Sequence, residues 1–151
     1  MNWDAIGAIG EILGAVAVLI TLIYLAMQIR QNTEQARLNS IQAVNSSNDS
    51  AFEPIYIPEN SAIFTKGQSS FASLSEHEKQ VFHMLMTRLI ASFDSTTYQY
   101  SQGSNDEELY WGTAAFYSTF IKRPGGSQWW AREKAPFSKS CVENLDNPVR
   151  E

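Results

Sequence analysis

A charge-free apolar run, ILGAVAVLITLIYLAM at residues 12–27, limits what this chain can fold into more than any other feature. AIGAIG precedes it with Glu11 as the only interruption, so the apolar stretch extends over residues 5–27. As an α-helix that stretch is about 34 Å long, enough for a hydrocarbon core of about 30 Å. Lipid offers no partners for backbone N–H and C=O groups, which makes helix the economical form there. A cleaved signal peptide would carry a basic leader and end in a small-residue cleavage site. Here the leader MNWD is acidic and QIRQN follows. The expectation is a retained single-pass span, preferred over a signal peptide or the core helix of a soluble protein.

The flanks give the orientation. Arg30 and Arg37 follow the apolar run, whereas residues 1–5 contain Asp4 and neither Lys nor Arg. The positive-inside rule then places the N-terminus outside and the C-terminal domain in the cytoplasm. Trp3 and Tyr24 stand where amphipathic rings favour the two interfaces.

Two features exceed what an inert anchor needs. Gly7, Gly10, Gly14, Ala17 and Thr21 fall within about 80° of helix surface. They form a smooth stripe that lets another helix approach closely, and Gly10 to Gly14 is a GxxxG spacing. Glu11 projects beside the stripe and would cost on the order of 2 to 3 kcal/mol if charged at mid-bilayer. It snorkels, is protonated, or meets a polar group on a neighbouring helix. The expected transmembrane packing face is therefore Gly7, Gly10, Glu11, Gly14, Ala17 and Thr21, serving a homo-oligomer or a larger membrane complex.

Beyond the span the chain reads as all-α: one N-terminal transmembrane helix extending into a small cytoplasmic helical bundle. The divisions are a transmembrane anchor at 1–29, a helical extension or linker at 30–52, and a soluble helical domain at 53–151. Leu38, Ile41 and Val44 recur at helical spacing, and the polar residues 45–50 are expected to fray or turn. Pro58 suits a first turn and Gly67 a position just past a helix end, which predicts a short helix over 58–65. Ser75 with Glu78 three residues later makes a capping box. The helix it opens carries Val81, Phe82, Leu85, Met86, Leu89, Ile90, Phe93, Thr97 and Tyr100 on one face. Asn105 and the acids Asp106, Glu107 and Glu108 mark another N-terminus. Its inner stripe is expected at Leu109, Thr113, Phe116 and Phe120, with Tyr110, Tyr117 and Ile121 beside it. Pro124-Gly125-Gly126 reads as a turn, Ser127 as the cap of a short helix, and Ser138 as the cap of a last one.

A net charge of −5, from eleven Lys and Arg against sixteen Asp and Glu, leaves no cationic cluster for a phosphate backbone, so no nucleic-acid partner is expected. Cys141 is the single cysteine, which rules out an intrachain disulfide. His77 and His83 point about 120° apart on one helix and read as surface residues rather than metal ligands. The pair Glu107 and Glu108 is more economically a helix start than a metal site. No phosphate-cradling glycine motif or nucleophile elbow occurs. Arg88 reads as a salt-bridging edge residue. No catalytic, metal or cofactor residues are therefore named, and no cofactor is expected. Trp129, Trp130 and Arg132 form a candidate partner surface, because adjacent indoles do not easily face one core. Core packing of both rings is the alternative.

The opening NWDAIGAIGEILGAVAVLITLIYLAMQIRQNT resembles the start of a group of uncharacterised single-pass bacterial membrane proteins. LSEHEKQVFHML and GGSQWWAREKAPFS extend the likeness over most of the chain. The resemblance implies a membrane-anchored helical domain in the bacterial inner membrane and supplies no catalytic residues. The expected function is noncatalytic interaction or assembly, including a role as accessory subunit of a respiratory, transport or light-harvesting assembly. The alternative is a membrane-tethered ligand-sensing or enzymatic domain, with a pocket lined by Phe82, Phe93, Tyr110, Phe116 and Trp130.

Overall fold

The structure, a computed structural model, describes residues 3–103 and 106–148. The long helix α1 spans Trp3–Phe52, α2 Pro58–Ser69, α3 Glu76–Ser101, α4 Glu107–Lys122, α5 Pro124–Glu133 and α6 Lys139–Asp146. Short 3₁₀ turns at Glu53–Tyr56 and Phe71–Ser73 flank α2. The fold is all-α, with no strand among the described residues. The chain divides into two compact units, Met1–Asn39 and Ser40–Glu151.

In the first unit α1 holds a stretch long and apolar enough to cross a membrane, and every described side chain through Asn39 is exposed. Thr21 and Thr33 donate their hydroxyls to the carbonyls of Ala17 and Ile29, at 2.8 and 2.9 Å, so neither is left unpaired on an apolar helix.

The second unit takes in the end of α1 from Ser40, and the polar stretch 45–50 does not fray. Tertiary contacts overrule its weak helix propensity. Ser47 Oγ lies 3.0 Å from Ser92 Oγ, and Asn48 Oδ1 accepts from Tyr117 at 2.8 Å and from Ser92 at 3.3 Å. The Arg88 guanidinium donates to the Ser50 carbonyl at 2.8 and 3.2 Å, so the salt bridge expected of Arg88 is instead a clamp on α1. Val44 and Ala51 are buried alongside.

Helix α2 runs past the expected stop at Gly67, which sits inside it against the Phe82 ring, where a Cβ would clash. The capping box opens α3: Ser75 Oγ accepts from Glu78 N–H, and Glu78 Oε2 accepts from Ser75 N–H at 2.7 Å. From the expected face Phe82, Leu85, Met86, Leu89, Ile90, Phe93 and Thr97 are buried, with Val81 and Tyr100 half-buried at its edges. Gly103 ends this segment with φ +72, a conformation that glycine adopts without penalty.

Helix α4 is capped by Asp106, whose carboxylate accepts from Glu108 and Leu109 N–H; Asn105 lies outside the described residues. Its buried face is Tyr110, Ala114, Tyr117 and Ile121, about 100° round from the expected Leu109, Thr113 and Phe116 stripe. Polar partners inside make the difference. Tyr110 Oη reaches Thr97 at 3.1 Å and accepts from Asn144 at 2.7 Å, while Tyr117 donates to Asn48. With their hydroxyls paired, the tyrosines bury their rings at no polar cost and leave Phe116 at the rim.

Pro124 starts α5 instead of ending α4 in a turn, and Ser127 lies within the helix. Both Gly125 and Gly126 are buried, at points where a Cβ would overlap the carbonyl oxygens of Gly67 and Phe120. Close helix contact, rather than turn geometry, requires glycine there. Ser138 caps α6 through Cys141 N–H, as expected.

Candidate interaction surfaces

The expected transmembrane face is fully outward in the first unit. A Cβ at Gly7, Gly10 or Gly14 would meet no atom within 4 Å, so no packing among the described residues requires glycine at these positions. Glu11, Ala17 and Thr21 are exposed beside them. The described apolar side chains of α1 in the first unit are all exposed.

The tryptophan pair is placed differently from the partner-surface expectation. Trp129 is 0% and Trp130 5% exposed, so both indoles belong to the core and Arg132 alone is at the surface. Helix α5 packs on α2 and α4, while its indoles reach α3 and α6, so rings about 100° apart both find cover. Trp129 Nε1 donates to His83 Nδ1 at 3.1 Å, and Trp130 Nε1 donates to Asp146 Oδ1 at 2.7 Å. Phe137 stacks on Trp130 with centroids 5.7 Å apart. Arg132 lies over the Phe71 ring, 5.9 Å from its centroid.

The histidines are both exposed. His83 Nδ1 is the nitrogen that accepts the Trp129 indole N–H. Glu133 Oε2 stands 3.8 Å from the same nitrogen. Among the described residues no three His, Cys, Asp or Glu side chains come together as metal ligands. Burial, reinforced by the Asp94 carboxylate, pushes the Cys141 thiol up to about 12. A buried thiol so placed has almost no thiolate at neutral pH and is a poor nucleophile. Asp94 itself accepts from Ser138 N–H at 3.1 Å and from the Ser138 hydroxyl, tying α3 to the start of α6.

Four of the five aromatics expected around a pocket are interlocked. Phe82, Phe93, Tyr110 and Trp130 are buried, with Phe93 stacked on Tyr110 at 5.9 Å and Phe82 against Phe64 at 5.9 Å. The fifth, Phe116, is 50% exposed. It lines an open groove of about 520 Å³ beside α4, together with Asn48, Asp106, Glu108, Leu109, Gly112 and Thr113. A second groove of about 610 Å³ runs along the later turns of α3 and carries Asp94, Tyr98 and Ser138.

The outer side of α4 is the surface that sequence reading missed. Glu108, Gly112, Ala115, Phe116, Thr119 and Lys122 are all exposed. A Cβ at Gly112 would meet nothing within 4 Å, although glycine in a helix interior costs about 1 kcal/mol relative to alanine. That unforced glycine was the available signal. Comparison with protein-family models, curated proteins and solved structures gives no match.

Proposed function

We propose that this protein is a noncatalytic, membrane-anchored interaction protein of the bacterial inner membrane. Its N-terminus lies outside and its helical bundle in the cytoplasm. The face formed by Gly7, Gly10, Glu11, Gly14, Ala17 and Thr21 packs against another membrane helix, from a second copy or from a larger complex.

One observation carries this reading. Every described apolar side chain of the first unit is exposed, and its three glycines have open space around them. Apolar side chains in that state need lipid or another helix, and smooth small-residue surfaces are where helices in lipid approach closely. The filled core of the second unit supports the noncatalytic part, since four of the five aromatics that a ligand pocket would need are used in packing.

Two measurements test the proposal on the full chain in native membranes. Alkaline carbonate washing should leave the protein in the membrane pellet, and release into the aqueous fraction would refute the anchor. Crosslinking followed by sizing in mild detergent should show assemblies that Gly10→Leu and Gly14→Leu abolish. Assembly unchanged by both substitutions would refute the packing face.

A further inference from the structure

We infer that the exposed face of α4 pairs with the same face of a second copy of this chain, the two helices running antiparallel. The inference names a partner for the assembly role proposed above, but uses a surface in the helical bundle rather than the glycine stripe.

Four exposed residues, Gly112, Ala115, Phe116 and Thr119, occupy positions i, i+3, i+4 and i+7 of α4. Those positions frame the hole that receives one knob side chain in helix–helix packing. Three corners are small, so the hole is deep, and the fourth, Phe116, is half-exposed, with one side of its ring against Phe52 and Phe120. A two-fold axis between Ala115 and Phe116 sets Phe116 of each copy over the hole of the other.

Charge selects the same arrangement. The exposed face is acidic at its start, at Glu108, and basic at its end, at Lys122 and Arg123. In the antiparallel register Glu108 meets the partner's Lys122 and Arg123, and Gly112 meets the partner's Thr119. A parallel pair would set like charges opposite each other, which disfavours it. The absence of any neighbour around Gly112 also finds its reason, because a bare backbone at the hole lets the second helix approach closely. A single helix pair covers less than the roughly 1,200 Å² of a standard stable interface, so this contact is weak alone and calls for a covalent trap.

The test uses the full chain in mild detergent. Ala115→Cys lies next to the proposed axis, and native Cys141 is buried. Mild oxidation should trap a disulfide dimer several-fold more efficiently than with Ala91→Cys, on the exposed side of α3. In the Ala115→Cys background, Glu108→Lys should reduce trapping several-fold, and adding Lys122→Glu should restore it. Gly112→Leu should abolish trapping while the melting temperature does not fall. Trapping no greater than at residue 91, or failure of the charge swap to restore it, overturns the inference. Repeating the trap with Gly10→Leu and Gly14→Leu separates it from the bilayer contact. Dimers trapped equally in both backgrounds support this surface whatever the fate of the stripe, and loss of trapping only with the leucines overturns it.

Discussion

Glycine carries two different meanings inside the helices of the bundle, and only the surroundings of each residue tell them apart. Gly67 and Gly125 stand where helices touch, and a methyl group at Gly125 would enter the Gly67 carbonyl. Gly125→Ala should therefore destabilise the protein by about 1 to 3 kcal/mol, the range for forced overpacking at a buried contact. Gly112→Ala adds its methyl to open space and should stabilise by up to about 1 kcal/mol, through helix propensity alone. Urea denaturation of both variants measures the pair, and equal effects would contradict the packing described. From sequence both Gly67 and Gly125 read as stop signals, because glycine beyond a helix end is the commoner local reason for it. The Phe82 ring that makes Gly67 necessary lies fifteen positions away. Cys141 gives a second test at this scale. With its thiol pushed up to about 12 by burial, it should resist alkylation at pH 8 in the folded protein and react promptly in denaturant. Modification in the native state at the rate of an unfolded control would show that the α6 contact opens readily.

Among the helices, those whose signals are local were legible and those held by distant partners were not. Ser75 and Glu78 are three residues apart, so the α3 cap was visible in the sequence. The partner that completes it, Lys66 on α2, was not. Its ammonium bonds both Glu78 oxygens at 2.8 Å, and this contact, followed by the Ser75 N–H and hydroxyl, holds the Glu78 carboxyl down to about 2 from its ordinary 4.5. A carboxyl depressed in the folded state contributes its stability above the unfolded value and loses it as pH falls through the folded one. Destabilisation linked to Glu78 should thus develop between pH 4.5 and pH 2. Glu78→Gln should show a flatter stability profile over that window, and an unchanged acid profile would mean that the exposed pair is screened to insignificance. The same distinction explains α4. Periodicity located the helix, but ranking Phe above Tyr turned its buried face by one residue. The Thr97, Asn144 and Asn48 partners that admit Tyr110 and Tyr117 come from three other parts of the chain.

At the scale of the whole molecule, the apolar run identified the separate character of the N-terminal helix, because hydropathy over some twenty residues needs no knowledge of tertiary contacts. The boundary between the units lay beyond its reach. Residues 40–52 look like a polar linker, yet they supply Val44 and Ala51 to the interior, the Asn48 acceptor to Tyr117 and Ser92, and the Ser50 carbonyl to Arg88. A fragment covering 40–151 should therefore unfold cooperatively on heating, as judged by circular dichroism at 222 nm. A fragment covering 53–151 should not. Its truncation uncovers the apolar sides of α3 and α4 and strips partners from buried hydroxyls at Tyr117 and Ser92. Each lost apolar side chain costs about 1.5 to 3 kcal/mol and each orphaned polar group about 1 to 3 kcal/mol. Their sum rivals the roughly 5 to 15 kcal/mol that stabilises a domain of this kind. Two fragments melting alike would reduce this part of α1 to a tether, whereas loss of the transition only in the shorter one makes the end of α1 a structural member of the bundle.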